Sequence, residues 1–268
     1  MKTLTHEDTM QMLNKVPEVA LYFWIIKIMA TTVGETAADF LNFDLHFGLT
    51  GTSFIMSALL AVFLFIQLRT RKYVPWPYWA VVVLISIVGT LITDNLVDNF
   101  GVPLETTALA FGLALLATFA AWYAIEKTLS IHTIFTTKRE LFYWAAILFT
   151  FALGTASGDL AAEGLKLGYA NSALMFGALI GMVTIAYYVF KANAILAFWI
   201  AYILTRPLGA SLGDFLSQPV TDGGLGLGAV FSTMVFLTTI ACLVTYLTIR
   251  RKGVREQTAS QTIRSRSP

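Results

Sequence analysis

Four aspartates recur in one register along this chain. Asp39, Asp94, Asp159 and Asp214 each stand fifteen residues after a tryptophan (Trp24, Trp79, Trp144 and Trp199). Three carry a second acid at i,i+4 spacing, in the pairs Glu35/Asp39, Asp94/Asp98 and Asp159/Glu163. That spacing puts both carboxylates on one helix face. Like charges so placed repel unless a cation or a shared proton lies between them. Two cations, Lys27 and Arg206, each stand eight residues before an acid on their own segment, Glu35 and Asp214. Carboxylates, with the hydroxyls of Thr31, Thr32, Thr90, Thr93 and Thr155, are hard oxygen ligands. They suit Mn²⁺, Mg²⁺, Ca²⁺ or protons and suit Zn²⁺ or Cu⁺ poorly. The chemistry expected is therefore cation binding. Glu35, Asp39, Asp94, Asp159 and Asp214 are the expected metal ligands, Asp98 and Glu163 bind alongside, and Arg206 and Lys27 compensate charge or gate.

Other chemistries find little here. His6, His46 and His132 fall in tails or loops, and Cys242 stands alone inside an apolar run. No activated nucleophile or metal triad can be assembled from them. Gly223, Gly224, Gly226 and Gly228 lack the lysine and strand of a phosphate loop. No enzyme activity, tightly bound cofactor or nucleic-acid partner is expected. A transported divalent cation is.

The segments that carry these residues are apolar. Of 268 residues, 57% are hydrophobic and 13% charged, and mean hydropathy is +0.71. Soluble domains have about 25% charged residues, so this composition predicts a membrane protein. Eight stretches reach the roughly 20 apolar residues that cross a bilayer: 19–41, 49–68, 78–97, 105–125, 142–162, 171–190, 194–216 and 226–249. They make an all-α integral membrane protein. Residues 1–18 form an N-terminal segment without a signal-peptide pattern, so the first apolar stretch itself directs insertion. Residues 126–141 are a longer linker between halves 19–125 and 142–249. Residues 250–268 are a basic tail, expected to be disordered.

Basic residues set the orientation. Fifteen of the 18 Lys and Arg fall in the termini and in the connections after the second, fourth and sixth stretches. Both termini are therefore expected on the cytoplasmic face of a bacterial inner membrane. Ten of the 16 acids fall in the opposite half or its loops, Asp44, Glu105 and Asp222 among them. They would form an outer vestibule that attracts cations, and Glu35 is expected to be the most deeply buried of them.

The register extends beyond tryptophan and aspartate. An aromatic precedes each tryptophan (Phe23, Tyr78, Tyr143, Phe198), a glycine follows ten residues later (Gly34, Gly89, Gly154, Gly209), and a small residue follows after fourteen (Ala38, Thr93, Gly158, Gly213). This predicts four two-helix repeats, all parallel, with the odd-numbered helices packing as an inner bundle through small-xxx-small faces. The aromatic pairs are expected at headgroup depth as anchors. Pro207 is expected to interrupt the seventh helix and free a carbonyl.

Two strings, KIMATTVGETAADFL (27–41) and FWIAYILTRPLGASLGDFL (198–216), carry a resemblance. They are similar to a bacterial repeat family of multi-pass membrane proteins of unknown function, known as uncharacterized membrane-anchored proteins. The resemblance covers about residues 17–250. It maps a Thr-x-x-Gly-Glu block onto Thr31, Gly34 and Glu35, and a Thr-Arg-Pro-Leu-Gly block onto Thr205 to Gly209. It implies four two-helix repeats and brings no substrate.

The function expected is an inner-membrane secondary transporter for a small cation, with Mn²⁺-type efflux in exchange for protons as its leading form. Partners would be the lipid bilayer, the cation and, in a homo-oligomer, further copies of the chain. The 36 aromatic residues raise a second reading, export of an organic cation. Whether aromatics or acids line the main cavity separates the two. The non-transport reading is a membrane scaffold in which the acids and Arg206 form a static salt-bridge network.

Overall fold

The computed structural model describes residues 14–44 and 47–264 of the chain, and all of its regular structure is helical. Eight α-helices follow in order: α1 (Leu21–Asp39), α2 (Gly48–Arg69), α3 (Pro75–Asp94), α4 (Leu104–Glu126), α5 (Thr137–Asp159), α6 (Tyr169–Tyr188), α7 (Ala194–Ser217) and α8 (Ala229–Arg264). Seven are long and apolar enough to cross a membrane. The exception is α1, in which Lys27, Glu35 and three threonines dilute an otherwise apolar run. Those polar residues are buried against other helices, so α1 shields from lipid what its composition would expose.

Local signals explain the element ends. Pro75 begins α3, where its missing N–H costs nothing. The α5 helix starts at Thr137, five residues before the expected 142, because Thr136 caps it by accepting from Arg139 N. Lys127 takes a left-handed conformation to close α4. Pro207 does not break α7, which runs unbroken from Ala194 to Ser217. Gly158 faces its backbone at Pro207, where an added Cβ would lie 3.6 Å from Pro207 Cα. At the other end of the chain, α8 continues to Arg264, through most of the basic stretch expected to be disordered. Among residues 250–264 only Gly253 is a poor helix former and none is proline.

Packing follows one rule. α1 packs on α3, α3 on α5, α5 on α7, and α7 back on α1. Each even helix then leans on the odd helix that follows it: α2 on α3, α4 on α5, α6 on α7, and α8 on α1. The linker at 126–141 therefore does not divide the molecule, since α3–α5 and α7–α1 join the two halves directly. Burial divides the helices the same way. Most of α1, α3, α5 and α7 is buried, whereas α2 buries only Thr52, Met56, Leu60 and Gln67, and α6 only Ser172, Ala173 and Phe176.

Candidate functional site

The tryptophan register sets side chains in layers four residues apart, and each layer makes the same contact four times. In the first layer, the aromatic before each tryptophan packs on the tryptophan of the next repeat. Phe23 meets Trp79 at 5.8 Å between ring centroids, Tyr78 meets Trp144 at 5.5 Å, Tyr143 meets Trp199 at 6.2 Å, and Phe198 meets Trp24 at 5.8 Å. These aromatics, expected as headgroup anchors, pack against one another between helices. Trp79, Trp144 and Trp199 are buried and Trp24 half-buried. Trp76, Tyr123 and Tyr188, outside the register, are among the exposed aromatics.

The glycine layer closes in the same sense. A Cβ on Gly34 would strike Ser86, one on Gly89 Phe151, one on Gly154 the stem of Arg206, and one on Gly209 Thr31. Every glycine thus receives the residue seven after the tryptophan of the next repeat. The missing side chains let the helices close to near contact, and the small residues four further on continue the seam. A Cβ on Gly213 would stand 3.0 Å from Glu35 Cβ, and Thr93 Oγ1 donates to Ala152 O at 3.0 Å.

At this seam lies the most polar buried cluster of the molecule. The Arg206 guanidinium is wholly buried. Its Nη2 donates to Glu35 Oε2 at 3.0 Å, to Thr155 Oγ1 at 2.7 Å, and to Thr90 Oγ1; Nη1 donates to Thr31 O at 3.1 Å. Glu35, Thr90 and Thr155 occupy one register position, eleven after the tryptophan, in three different repeats. Arg206 therefore ties all four repeats together. Its Nε has no hydrogen-bond partner. Thr31 also donates to Thr205 O at 3.2 Å. Of the five threonines expected as cation ligands, Thr90 and Thr155 by their hydroxyls and Thr31 by its carbonyl hold a protein cation instead, while Thr32 and Thr93 donate to backbone carbonyls.

Lys27 lies one layer nearer the tryptophans and is also wholly buried. Its Nζ stands 4.0 Å from the Tyr202 ring centroid and 5.0 Å from that of Phe151, with no hydrogen-bond partner. It does not snorkel. One layer nearer the tryptophans, the Tyr78 and Tyr143 hydroxyls are 2.5 Å apart, on fully buried side chains. The Tyr202 hydroxyl adjoins them without a hydrogen bond of good geometry.

The four aspartates end the register on the opposite side of Arg206. Asp214 is buried, while Asp39, Asp94 and Asp159 are half-buried. Asp94, Asp159 and Asp214 all interact electrostatically with Glu35, and Gln218 Nε2 donates to Asp39 Oδ2 at 3.2 Å. A π-helical turn begins directly after Asp39, Asp94 and Asp159, at Phe40–Asp44, Asn95–Asn99 and Leu160–Gly164. Such turns widen a helix and are frequent at functional sites. Asp98 and Glu163 are exposed on these turns, and Glu163 accepts from the Tyr169 hydroxyl at 3.0 Å. The structure thus brings Glu35 and Arg206 together and leaves the second acid of two expected pairs at the rim. Among the described residues, no three His, Cys, Asp or Glu side chains could hold a metal ion. The expected five-carboxylate metal site is not assembled in this conformation, where Arg206 takes the charge of Glu35.

Two features had no counterpart in the sequence reading. Glu140, 1% exposed, is more buried than Glu35 at 6%. It accepts from Lys15 Nζ at 2.6 Å and from Gln67 Nε2 at 3.0 Å, tying residues before α1 to α2 and α5. Neither residue belongs to the register. The second feature is a cavity of about 460 Å³ at the tryptophan end, between α1, α6, α7 and the 129–132 connection. Trp24, Phe198, Tyr187 and Tyr188 line it, Thr205 lies among its walls, and no acid does.

The family described as Repeat of Unknown Function (DUF347) matches the chain four times, over residues 22–73, 77–128, 142–193 and 197–252. No curated protein and no solved structure is significantly similar to it.

Proposed function

The chain belongs to the DUF347 repeat family, and we propose that this four-repeat member is a secondary transporter for a small cation in a bacterial inner membrane. The reading takes the repeats as parallel two-helix units around one axis along the membrane normal, with α1, α3, α5 and α7 as the inner bundle. The recurrence of one aromatic contact and one glycine contact, four times each in the same sense, supports that arrangement. Basic residues would put both termini and the tryptophan end on the cytoplasmic side. The aspartates then form an outer vestibule.

One observation carries the proposal. A permanently charged guanidinium is buried among the four repeats, held by a carboxylate of one other repeat and hydroxyls of the remaining two. Buried ionised groups in membrane proteins are costly and mark pathways or partners. Arg206 occupies the place where a mobile cation would compete for Glu35. Cargo drawn in by the aspartates would displace it, and its return would expel the cargo. Manganese-type efflux in exchange for protons is the form to test first, since the donors are all oxygen. A divalent ion would bind only once Arg206 has withdrawn.

Purified protein in liposomes, with a manganese-quenched dye inside, should show Mn²⁺ movement driven by an imposed pH gradient. A deletion strain should accumulate the metal and become sensitive to it. Absence of both across a divalent series would overturn the metal reading. The aromatic lining of the cytoplasmic-side cavity supports a second cargo class, a lipophilic organic cation such as tetraphenylphosphonium. The same liposomes test it.

A further inference from the structure

We propose that Lys27 carries the coupling proton, releasing it when a cation enters the column at Glu35. This rests on the transport reading above. It assigns to Lys27 a task that Arg206 cannot perform, since an arginine stays charged while a lysine can give up its proton.

Position argues first. Lys27 is wholly buried, three residues after Trp24, on the same face of α1 as Thr31 and Glu35. The layer it belongs to is otherwise Val82, Ile147 and Tyr202. A packing role would be met by another aliphatic side chain there. Instead the layer holds an amine whose Nζ has no hydrogen-bond partner, in a medium where an unpartnered polar group costs several kcal/mol.

Surroundings argue next. From α7, Arg206 and the Tyr202 ring face Lys27, and from α5 the Phe151 ring; beyond Tyr202 stand Tyr143 of α5 and Tyr78 of α3, and Glu35 lies two turns along α1. The α8 helix also packs on α1, and between Ala229 and Ile249 its only titratable residues are Cys242 and Tyr246. Lys27 therefore neighbours a fixed cation, Arg206, and the Tyr202 ring, whose hydroxyl adjoins those of Tyr78 and Tyr143. Tyr78 and Tyr143 are already within hydrogen-bonding distance of each other. These hydroxyls can accept and pass on a proton toward the tryptophan end, while Arg206 blocks the route toward the aspartates.

Charge balance completes the step. The resting column holds Lys27 and Arg206 as cations and Glu35 as an anion. When a cation displaces Arg206 from Glu35, the Lys27 N–H bond breaks, its electron pair stays on nitrogen, and the proton leaves through the tyrosines. The column's net charge is unchanged for a monovalent cargo. A divalent cargo requires one further proton or charge, so the exchange carries a net charge.

The test uses full-length protein in liposomes, with ⁵⁴Mn²⁺ outside and a pH dye inside. Two assays run in parallel, Mn²⁺ exchange at equal pH and Mn²⁺ accumulation under a pH gradient. For Lys27→Met the expectation is exchange within about twofold of wild type, gradient-driven accumulation reduced at least tenfold, and no Mn²⁺-induced pH signal. Tyr143→Phe, which cuts the hydroxyl cluster and leaves every charge in place, should slow the pH signal and spare exchange; it decides the matter if Lys27→Met does not fold. Gradient-driven accumulation that survives in Lys27→Met, or an unaltered pH signal in Tyr143→Phe, would overturn the proposal. So would wild-type exchange with no pH signal, which leaves the transport reading standing. A wild type that moves neither Mn²⁺ nor tetraphenylphosphonium overturns both.

Discussion

Arg206 on α7 and Glu35 on α1 stand 171 residues apart in sequence and meet at 3.0 Å, with the guanidinium wholly buried. They sit in adjacent layers of a repeat whose other members have diverged. The arginine layer reads Thr31, Ser86, Phe151, Arg206, and the glutamate layer reads Glu35, Thr90, Thr155, Ala210. Rings and glycines keep fourfold likeness because they form the frame. Charge breaks the likeness because one cation at the centre of four helices can face only one carboxylate.

Removing one member of this pair should cost more than removing both. Arg206→Met leaves Glu35 buried without a counter-ion, an expected loss of roughly 3–5 kcal/mol. The Arg206→Met/Glu35→Gln double variant should recover most of the melting temperature in detergent. Under the transport reading the double variant folds and moves no cation. Recovered folding with unchanged flux would identify the pair as scaffold.

The four register glycines should resist substitution where other helical glycines do not. Gly34→Ala, Gly89→Ala and Gly209→Ala each force a methyl into a neighbouring helix, at an expected cost of roughly 1–3 kcal/mol. Gly154→Ala should additionally displace the Arg206 stem and reduce flux beyond its effect on stability. Gly51→Ala and Gly177→Ala meet nothing within 4 Å and should be neutral or stabilising. Thermal melts of all six separate the two groups, and equal losses in both would refute the contact rule.

Much of this frame is legible from spacing. Trp, Gly and Asp at fixed offsets name the contacting positions, and apolar length locates the helices to within a few residues. Direction round the ring is not legible, since a glycine does not say which helix fills it. Nor is the depth of the aromatics: Trp79 and Trp76 look alike in sequence, yet one is buried and the other exposed. The register did hold more than its obvious letters. Extending it to offsets three, seven and eleven would have placed Lys27, Arg206 and Glu35 in consecutive layers. Glu140 with Lys15 lay beyond reach, because that pair joins segments outside the repeat.

Tryptophan burial gives its own test. Trp79→Ala removes a ring packed on Phe23 and Tyr78 and should cost roughly 3–5 kcal/mol. Trp76→Ala removes an exposed ring and should leave the melting temperature nearly unchanged in detergent. An equal response from both would return these rings to the role of interfacial anchors.

Glu140→Gln should unfasten the start of the chain without touching the axis. Its carboxylate is the only ion-pair partner of Lys15 among the described residues, at 2.6 Å. The amide leaves a buried ammonium short of a counter-charge, with Leu68 O remaining as acceptor. Limited proteolysis near Lys15 should accelerate at least severalfold, while cation flux per folded molecule stays at the wild-type level. Lost flux with unaltered proteolysis would instead place Glu140 on the transport route.

Neutralising the acids one at a time should sort them by depth. Asp214 is buried, Asp39, Asp94 and Asp159 are half-buried, and Asp98 and Glu163 are exposed at the rim. Salt screens exposed charges over roughly 8–10 Å, and buried ones far less. Asp214→Asn should therefore raise the half-saturating Mn²⁺ concentration most, by about tenfold, and Asp39→Asn, Asp94→Asn and Asp159→Asn by a few fold each. Those shifts should persist at high ionic strength. Asp98→Asn and Glu163→Gln should change it less than twofold, and only in low salt. Flux measured over a Mn²⁺ series at two ionic strengths decides this. If Asp98→Asn matched Asp214→Asn and both effects vanished with salt, the diffuse field of the acidic face would be guiding the cation, and the four register aspartates would hold no site of their own.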